Sequence, residues 1–457
     1  MPGLSIDYYG SLHLVIPNTV RHVLDVGCGT GGLGNLIKHR DPGVVFDGVE
    51  LNSLAAQTAA NYLDHVYCVN IETDELPFAA AGYDCIIFGD VLEHLYHPLQ
   101  AIERMKQYLK PEGFILCSIP NAQNYQIISS LLCGNFQYQD GGLLDRTHIR
   151  FFTYANMFKL LLDAGLVPEL LGFVPETDFQ GSNTAYARST SANREGTLAA
   201  LEECSRYLGV DKKRFRTYLS AFQLVFKAKI NDAYTDSLSE PFPLSIIVPT
   251  HLPHIFGDYL LSSPILQKGN PHQLITLTGY DSAASALEEG IKRAVHDTVI
   301  FVHQDVYLPV GWDRLFCQRI REVERSFPEF GMIGIHGASR RGNNAVLSGV
   351  LVDRHSTLHH ADPLPSQVDT IDDCLFALRK EHFPGVDEQL GWYHYGADLA
   401  YRFRAIQRDA IVVDALCYHN SMRGATEPEA CLLSARRLAE IWPEQLPIVT
   451  PRLVVNR

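Results

Sequence analysis

With 457 residues, the chain is longer than one ordinary hydrophobic core supports, so the sequence predicts two domains. Apolar residues make up 46% and charged residues 20%, which is the balance of a globular protein and not of a disordered or fibrous one. The formal net charge of -14 argues against nucleic acid as a partner, because a sequence-independent grip on phosphates needs an excess of Lys and Arg.

The ten cysteines form no C-x-x-C pair and show no zinc-finger spacing. This usage predicts reduced thiols in a cytoplasmic protein. The sequence contains no uncharged apolar run near twenty residues, and its first residues lack a basic region followed by an apolar one. We therefore expect neither a membrane span nor a signal peptide, while peripheral association with a membrane stays open.

In the first half, buried strands alternate with helical patterns between residues 21 and 173. The strands are predicted at HVLDVGC, VVFDGVEL, DCIIFGDV and GFILCSIP. This alternation is typical of a doubly wound parallel α/β sheet. A helix at 194–209 and a late strand at 218–230 are expected to complete a first domain at residues 1–231.

A polar, proline-bearing segment at 232–243 predicts a linker. A fresh strand, LSIIVPT, follows it, and strands and helices are expected to alternate again as far as AIVVDALCYHNS at 410–421. The sequence thus predicts a second α/β domain at 244–425. The remaining tail, 426–457, is expected to hold one helix and an extended end.

A glycine-rich turn follows the first predicted strand. Gly27, Gly29 and Gly31 in VLDVGCGTGGLG lie between a strand and a helix, where small residues let backbone N–H groups approach a nucleotide-like ligand. Glu50 ends the next strand and is placed to accept hydrogen bonds from ribose hydroxyls. The spacing G-x-G-x-x-G also suits a dinucleotide, and a purely structural glycine turn is a further alternative.

Asp25, two residues before the first glycine, and FGDVLEHL at the end of a later strand extend this pattern. The wider set resembles class I S-adenosylmethionine-dependent methyltransferases, which implies a Rossmann-like sheet. The likeness covers about 21–173, including GNFQYQDGGLLDRTHIRFFTYANMFKLLLDAGL. It implies that Asp25, Gly27 and Gly29 hold the methionine moiety, Glu50 the ribose, and Asn70 with Ile71 the adenine, although many relatives carry Asp where Asn70 stands.

Asp90, Glu93 and His94 are spaced i, i+3 and i+4, so a helix that begins at Asp90 would place them on one face. With His148 they offer two carboxylates and two imidazoles, a set that suits Mg2+ or Mn2+ and would lower the pKa of an acceptor hydroxyl. The set is similar to the metal cluster of small-RNA 2'-O-methyltransferases and ubiquinone-pathway O-methyltransferases, whose first ligand is usually Glu. Alternatively, Glu93 and His94 line an acceptor pocket or cap a helix.

In the second half, the apolar strand in FVHQDVYLP delivers Asp305 to its carboxyl end. Together with LSIIVPTHL and the stretch from FPGVDEQL to CYHNS, it resembles glycosyltransferase family 2 and its GT-A fold. The resemblance implies that Asp305 and His419 bind a metal at the diphosphate of a nucleotide sugar, and that Asp398 is the general base of an inverting transfer. Relatives usually carry Glu-Asp where this chain has Ala397 and Asp398.

The two resemblances together imply a bifunctional enzyme. It would transfer a methyl group from S-adenosylmethionine to oxygen and a glycosyl group from a nucleotide sugar, with Glu93, His94, His148 and Asp398 as the catalytic residues. The expected acceptor is a bacterial surface glycan or a glycosylated metabolite. In one alternative, the second domain only binds a glycan; in another, the methyl acceptor is an amine or a carboxylate.

Overall fold

A computed structural model of the chain describes residues 10–175, 194–206, 212–234, 238–342, 344–354, 356–360, 363–421 and 427–456. The chain divides into two compact units, Met1–Asn231 and Asp232–Arg457. Among the helices in the described ranges, none combines the length and the apolar character that crossing a membrane requires.

The first unit is built on one seven-stranded sheet flanked by helices. Its strands are β1 (His22–Val26), β2 (Val45–Val49), β3 (His65–Tyr67), β4 (Tyr83–Gly89), β5 (Leu109–Pro120), β6 (Leu166–Pro175) and β7 (Ala221–Ile230). Its helices are α1 (Gly10–Val15), α2 (Gly32–Arg40), α3 (Ser53–Ala59), α4 (Pro98–Lys106), α5 (Tyr125–Leu132), α6 (Tyr154–Asp163), α7 (Arg194–Glu202) and α8 (Lys212–Ser220).

The strand order is β3-β2-β1-β4-β5-β7-β6, with β1 to β5 parallel and β7 antiparallel to both of its neighbours. The central strands β1 and β4 are apolar and buried because helices cover both faces of the sheet. The order reverses between β1 and β4, so a crevice forms beyond their carboxyl ends. The glycine-rich turn leaves β1 at this crevice.

Three local expectations for the first unit need correction. The helix expected to begin at Asp90 is absent: Asp90 has a φ of +53°, and only a short 3-10 turn, Leu92–His94, follows it. The expected strand at 218–230 begins at Ala221, because α8 runs to Ser220. The expected helix at 194–209 ends at Glu202 in a 3-10 turn, and 207–209 lie outside the described residues.

The second unit contains a mixed seven-stranded sheet and a smaller sheet beside it. Its strands are β8 (Ser245–Pro249), β9 (Gln273–Leu277), β10 (Thr298–Val302), β11 (Val306–Tyr307), β12 (Phe330–Gly334), β13 (His336–Arg341), β14 (Asn344–Asp353), β15 (Ser356–His359), β16 (Ser366–Val368), β17 (Thr370–Ile371), β18 (Leu375–Arg379), β19 (Asp409–Val412), β20 (Tyr418–His419), β21 (Ile448–Val449) and β22 (Val454–Val455). Its helices are α9 (Pro253–Asp258), α10 (Ala283–Arg293), α11 (Trp312–Ser326), α12 (Tyr395–Ala405) and α13 (Glu429–Ile441).

The predicted alternation of strand and helix fails over residues 330–379. There, β12 to β18 follow one another with no α-helix among the described residues. The main sheet has the order β16-β19-β12-β18-β10-β8-β9, and β18 runs antiparallel to both β10 and β12. Antiparallel neighbours such as β13 and β14 need only a tight turn, here at Gly342, so no crossover helix is required.

The tail packs onto the core of the second unit. Leu438 of α13 and Ile448 and Val455 of the hairpin β21-β22 are buried in the same hydrophobic cluster as Phe301 and Tyr395. The hydroxyl of Thr370 also donates a hydrogen bond to the carbonyl of Val449 at 2.7 Å. The hairpin is therefore an integral part of this unit.

Candidate functional site

The turn after β1 is shaped for a ligand that approaches the backbone closely. Gly27, Gly29 and Gly31 all have φ in the left-handed region, which favours glycine. A side chain at Gly27 would collide with Val91, whereas one at Gly29 would project into open space. The open space beside Gly29 lies at the carboxyl edge of the sheet, where the sequence predicted the cofactor.

Two carboxylates border this turn. Glu50 accepts hydrogen bonds from the N–H groups of Gly29 at 2.9 Å and Asn52 at 2.8 Å, so its position is fixed while further lone pairs remain for a ligand. Asp25 is buried, and this burial together with the charge of Glu50 raises the pKa of Asp25 to about 7. A cation bound next to Asp25 would relieve both effects.

The two residues expected at the adenine follow β3. The side-chain oxygen of Asn70 accepts a hydrogen bond from the N–H of Glu72 at 2.9 Å, and the carboxylate of Asp74 accepts one from the N–H of Asn70. Ile71 is buried, and its carbonyl accepts a hydrogen bond from Arg104. Asn70 therefore stabilises the turn that presents Ile71. Asn and Asp have the same length, so the amide oxygen accepts this hydrogen bond where the usual acid would offer a carboxylate oxygen.

Glu93, His94 and His148 come together near the carboxyl end of β4. Each offers one ligand atom, and these atoms lie within 4.8 Å of one another. Glu93 is 1% exposed, and neither of its carboxylate oxygens has a hydrogen-bond partner in the described part of the chain. Burial, with a smaller contribution from Asp90, raises the pKa of Glu93 well above its usual range.

The two imidazoles of this cluster are oriented by backbone carbonyls. His94 Nδ1 lies 3.1 Å from the carbonyl of Thr147, and His148 Nδ1 lies 3.2 Å from that of Leu143. A carbonyl only accepts, so both Nδ1 atoms carry a proton, and the Nε2 atoms are the ones that could bind a metal ion. Burial lowers the pKa of His148, so its separation of 3.9 Å from Glu93 is not an ion pair. This is the arrangement that metal-binding histidines use.

Asp90 does not join this cluster. Its carboxylate accepts hydrogen bonds from Ser118 Oγ at 3.1 Å and Gln223 Nε2 at 2.6 Å. The backbone at Asp90 is left-handed and no helix begins there, so the expected i, i+3, i+4 face does not form. The expectation that Asp90 is a metal ligand is corrected for this reason, while the other three residues of the expected set are adjacent.

A second cluster lies in the second unit, where His303, Asp305 and His419 bring their ligand atoms within 4.8 Å of one another. Asp305 Oδ1 lies 3.6 Å from His419 Nε2 and 4.0 Å from His303 Nδ1. Burial alone would lower the pKa of His419, but the charges of Asp305 and Asp353 outweigh it and raise this pKa to about 9. For His303, burial prevails and lowers the pKa to about 4.

Sequence reasoning missed His303. His303 directly follows β10, and Asp305 lies in a turn that is closed by a hydrogen bond from the N–H of Val306 to the carbonyl of His303 at 3.3 Å. The intervening Gln304 points elsewhere: its Oε1 accepts hydrogen bonds from Thr250 Oγ1 and from the N–H groups of His251 and Leu252. Gln304 therefore fixes the loop after β8.

The surroundings of Asp398 favour a structural role over the general-base role expected for it. It is fully buried and accepts hydrogen bonds from Arg402 Nε at 2.7 Å, Trp442 Nε1 at 2.8 Å and the N–H of Asp387 at 3.0 Å. Asp398 and Arg402 are one helical turn apart on α12. With its carboxylate fully buried and held by three donors, Asp398 anchors α12 to the tail.

A pocket opens beside the second cluster, and His303 and His419 form part of its wall. Two neighbouring carboxylates, Asp372 and Asp373, also line it. Burial raises the pKa of Asp373 to about 7, and its oxygens accept hydrogen bonds from the N–H groups of His394 and Gly396. Sequence reasoning gave neither acid a role, since D-D in a strand-turn context has no distinctive spacing.

Comparisons with known proteins agree with the geometry of the first unit. Residues 10–170 match a family model described as a methyltransferase domain. A ubiquinone biosynthesis O-methyltransferase of Dinoroseobacter shibae is 31% identical over 153 residues, which cover 32% of this chain and 60% of that protein. The protein of the same description from Coxiella burnetii is 29% identical over 178 residues, which cover 32% of this chain and 74% of that protein. The chain thus spans less than two thirds of the first relative's length.

Among solved structures, a methyltransferase from Archaeoglobus fulgidus is 17% identical with a TM-score of 0.31, covering 46% of this chain and 86% of that one. Two observations define the class of the first unit. Residues 10–170 match the family model, and the glycine turn, Asp25 and Glu50 lie where the strand order of the sheet reverses. The first unit contains a class I S-adenosylmethionine-dependent methyltransferase domain.

Proposed function

We propose that residues 1–231 transfer the methyl group of S-adenosylmethionine to a hydroxyl oxygen, with a divalent ion held by Glu93, His94 and His148. The observation that carries this proposal is the buried Glu93 carboxylate without a hydrogen-bond partner among the described residues. Burying an unpaired carboxylate is costly unless a cation compensates it. The matches to ubiquinone biosynthesis O-methyltransferases support oxygen as the acceptor atom.

One group of residues binds the cofactor, and another activates the acceptor hydroxyl. The turn from Gly27 to Gly31 and the acids Asp25 and Glu50 bind and orient the cofactor, whose sulfonium methyl is already activated for in-line attack. When bound, the ion lowers the pKa of the acceptor hydroxyl. Without a cation, the raised pKa of Glu93 favours its protonated form, which cannot accept the hydroxyl proton. Methyl transfer is therefore expected to need the ion.

A chelation experiment tests this proposal. The full chain is stripped with a chelator, and methyl transfer from S-adenosylmethionine to a catechol or a glycoside is measured before and after Mg2+ or Mn2+ is returned. Loss and recovery of transfer are expected, with cofactor affinity unchanged. Transfer that is indifferent to chelation would make Glu93, His94 and His148 an acceptor pocket only, or point to an amine or carboxylate acceptor.

For the second unit, the proposed activity is glycosyl transfer from a nucleotide sugar to a glycan, on a bacterial surface polymer or a glycosylated metabolite. His303, Asp305 and His419 would hold a divalent ion at the diphosphate, where it neutralises the leaving group. Asp373 takes over the role of candidate base from Asp398, because it lines the pocket and its pKa lies near neutrality. The two activities on one chain would make the protein bifunctional.

The rival for the second unit is a glycan-binding module without transfer activity. The observation that favours it is that both oxygens of Asp373 already accept backbone hydrogen bonds. Hydrolysis of UDP-, GDP- and dTDP-sugars with Mn2+ discriminates between the two: slow hydrolysis that is lost in Asp305→Ala supports the enzyme, and glycan binding without any hydrolysis supports the module.

A further inference from the structure

The hairpin β21-β22 in the tail carries a charged side chain into the pocket of the second unit. Thr450 to Leu453 form its loop, in which the Thr450 hydroxyl accepts hydrogen bonds from the N–H groups of Arg452 at 3.3 Å and Leu453 at 3.0 Å. The pocket wall includes Thr450, Pro451 and Arg452 together with His303 and His419. The tail thus forms part of the same pocket wall as His303 and His419 of the second cluster.

Arg452 is held in place by its neighbours. Its Nε donates a hydrogen bond to Glu427 at 2.5 Å, and its guanidinium lies 5.2 Å from the ring centre of Tyr393. Of the described residues that line the pocket, Arg452 alone carries a permanent positive charge. A guanidinium presents five N–H donors in a planar group that suits an anion, and Arg452 places this group in the pocket wall.

A second feature of the same wall points to a ligand. His394 is 3% exposed, lines the pocket, and has a left-handed backbone with a φ of +58°. Its Nδ1 lies 3.1 Å from the Ser434 hydroxyl, which donates its own proton to the carbonyl of Tyr393 at 2.7 Å. The proton between them therefore belongs to Nδ1, and Nε2 is a bare acceptor.

Nε2 of His394 has no hydrogen-bond partner within the described ranges of the chain. Burial, with the charge of Arg452 adding to it, lowers the pKa of His394 to about 4, so the ring stays neutral at physiological pH. A buried acceptor without a donor is costly, and a ligand hydroxyl would satisfy it. Arg452 and His394 thus add a cation and a neutral acceptor to a pocket wall that also contains His419, Asp372 and Asp373.

We propose that Arg452 and His394 form a donor-sugar subsite, in which the guanidinium binds a phosphate oxygen of a nucleotide sugar and Nε2 of His394 accepts a hydrogen bond from a sugar hydroxyl. This inference rests on the proposed glycosyl transfer and assigns the tail a part in it. The ligand must carry an anionic group and a hydroxyl group, and a nucleotide sugar has both. Arg452 would then bind the same diphosphate as the ion held by His303, Asp305 and His419.

Two kinds of ligand test the Arg452 contact and the His394 contact separately. Inorganic pyrophosphate offers the anion without a sugar hydroxyl, whereas the UDP-, GDP- and dTDP-sugars offer both. Their dissociation constants are measured by calorimetry on the full chain with Mn2+. Arg452→Gln is expected to weaken both probes roughly tenfold or more, because a charge-assisted hydrogen bond is lost. His394→Phe is expected to weaken only the nucleotide sugar, roughly fivefold.

The matched control is Glu427→Gln, which disrupts the same ion pair but leaves the Arg452 charge in place. It should bind pyrophosphate as tightly as the parent or more tightly, and its thermal midpoint should fall as far as that of Arg452→Gln. Arg452→Lys should recover part of the affinity. If Glu427→Gln weakens both probes as much as Arg452→Gln does, Arg452 only holds the hairpin and the subsite is refuted.

The outcomes also separate this inference from the proposed function. A parent protein that binds a nucleotide sugar with no effect of either variant keeps the glycosyltransferase proposal and overturns the subsite. A parent that binds pyrophosphate in an Arg452-dependent manner but no nucleotide sugar overturns the sugar half of the subsite and the proposed glycosyl transfer, while the anion half stands. A parent that binds neither probe overturns both.

Discussion

Each unit brings one carboxylate and two imidazoles within metal-binding distance, but the two clusters differ in their other partners. In the first, Glu93 has no hydrogen-bond partner in the described residues, and both imidazoles donate to carbonyls. In the second, Asp305 and Asp353 both lie close to His419 and hold it in the protonated form. The first cluster therefore lacks a compensating charge, whereas the second contains a positive charge of its own on His419.

This difference teaches that ligand types and distances alone do not predict how strongly a site depends on an ion. An uncompensated buried carboxylate makes an ion necessary for the charged form. A protonated imidazole beside carboxylates already supplies a positive charge, which an incoming ion must displace. We expect the first cluster to be the more dependent on its ion.

The largest expected effect concerns Glu93. Glu93→Gln should lower methyl transfer by roughly 10²-fold or more, because the ion loses its charged ligand. Affinity for S-adenosylmethionine should stay near that of the parent, since the cofactor turn is untouched. Steady-state methyl transfer and calorimetry measure the two quantities.

The control is Asp90→Asn, which keeps the acceptor oxygen that Ser118 reaches and leaves Glu93 intact. It should lower methyl transfer much less than Glu93→Gln. Equal losses in the two variants would indicate that Asp90 also binds the ion. The first cluster would then contain two carboxylates, and the difference from the second cluster would not hold.

A second effect separates binding from stability in the second unit. Asp305→Ala should weaken Mn2+-dependent nucleotide-sugar binding roughly tenfold or more, while His419 keeps Asp353 as a carboxylate partner. Asp398→Asn should instead cost about 1–3 kcal/mol of stability, because Arg402 and Trp442 lose a buried charged acceptor. Chemical denaturation and calorimetry distinguish the two. Near-wild-type stability with a loss of turnover in Asp398→Asn would restore its role as a base.

The smallest effect is a pH response of the first unit through Asp25. Its pKa of about 7 lies above the ordinary carboxyl value, so the folded protein binds this proton more tightly than the unfolded chain does. The contribution to stability is fully present below about pH 4 and declines as the pH rises to about 7. Thermal unfolding without cofactor should therefore occur at lower temperature at pH 8 than at pH 5 in the parent, by more than in Asp25→Asn.

Cofactor binding should show the opposite trend at the same residue. The ammonium group of the methionine moiety favours the ionised carboxylate, so affinity for S-adenosylmethionine should rise between pH 6 and 8 with release of a proton. Calorimetry in buffers of different ionisation enthalpy measures that proton. An affinity that does not change with pH would place the cofactor's positive charge away from Asp25.

Several features of the chain were predictable from the sequence because they depend on local spacing. The glycine turn and Glu50 each follow a short apolar run, and a parallel sheet brings the carboxyl ends of such runs to one edge. The association of Glu93 and His94 with His148 was predicted from the types of their side chains and the family resemblance.

Other features were decided only by tertiary structure. Asp90 and Asp398 have the residue type their expected roles need, but Ser118 and Gln223 bind the first, and Arg402 and Trp442 bind the second. Trp442 is 44 residues from Asp398, and Gln223 is 133 residues from Asp90. Arg452 reaches its pocket only because the tail folds back onto the core. Spacing fixes which residues share a face, as Asp398 and Arg402 do on α12, whereas the other hydrogen-bond donors to a carboxylate can come from distant parts of the chain.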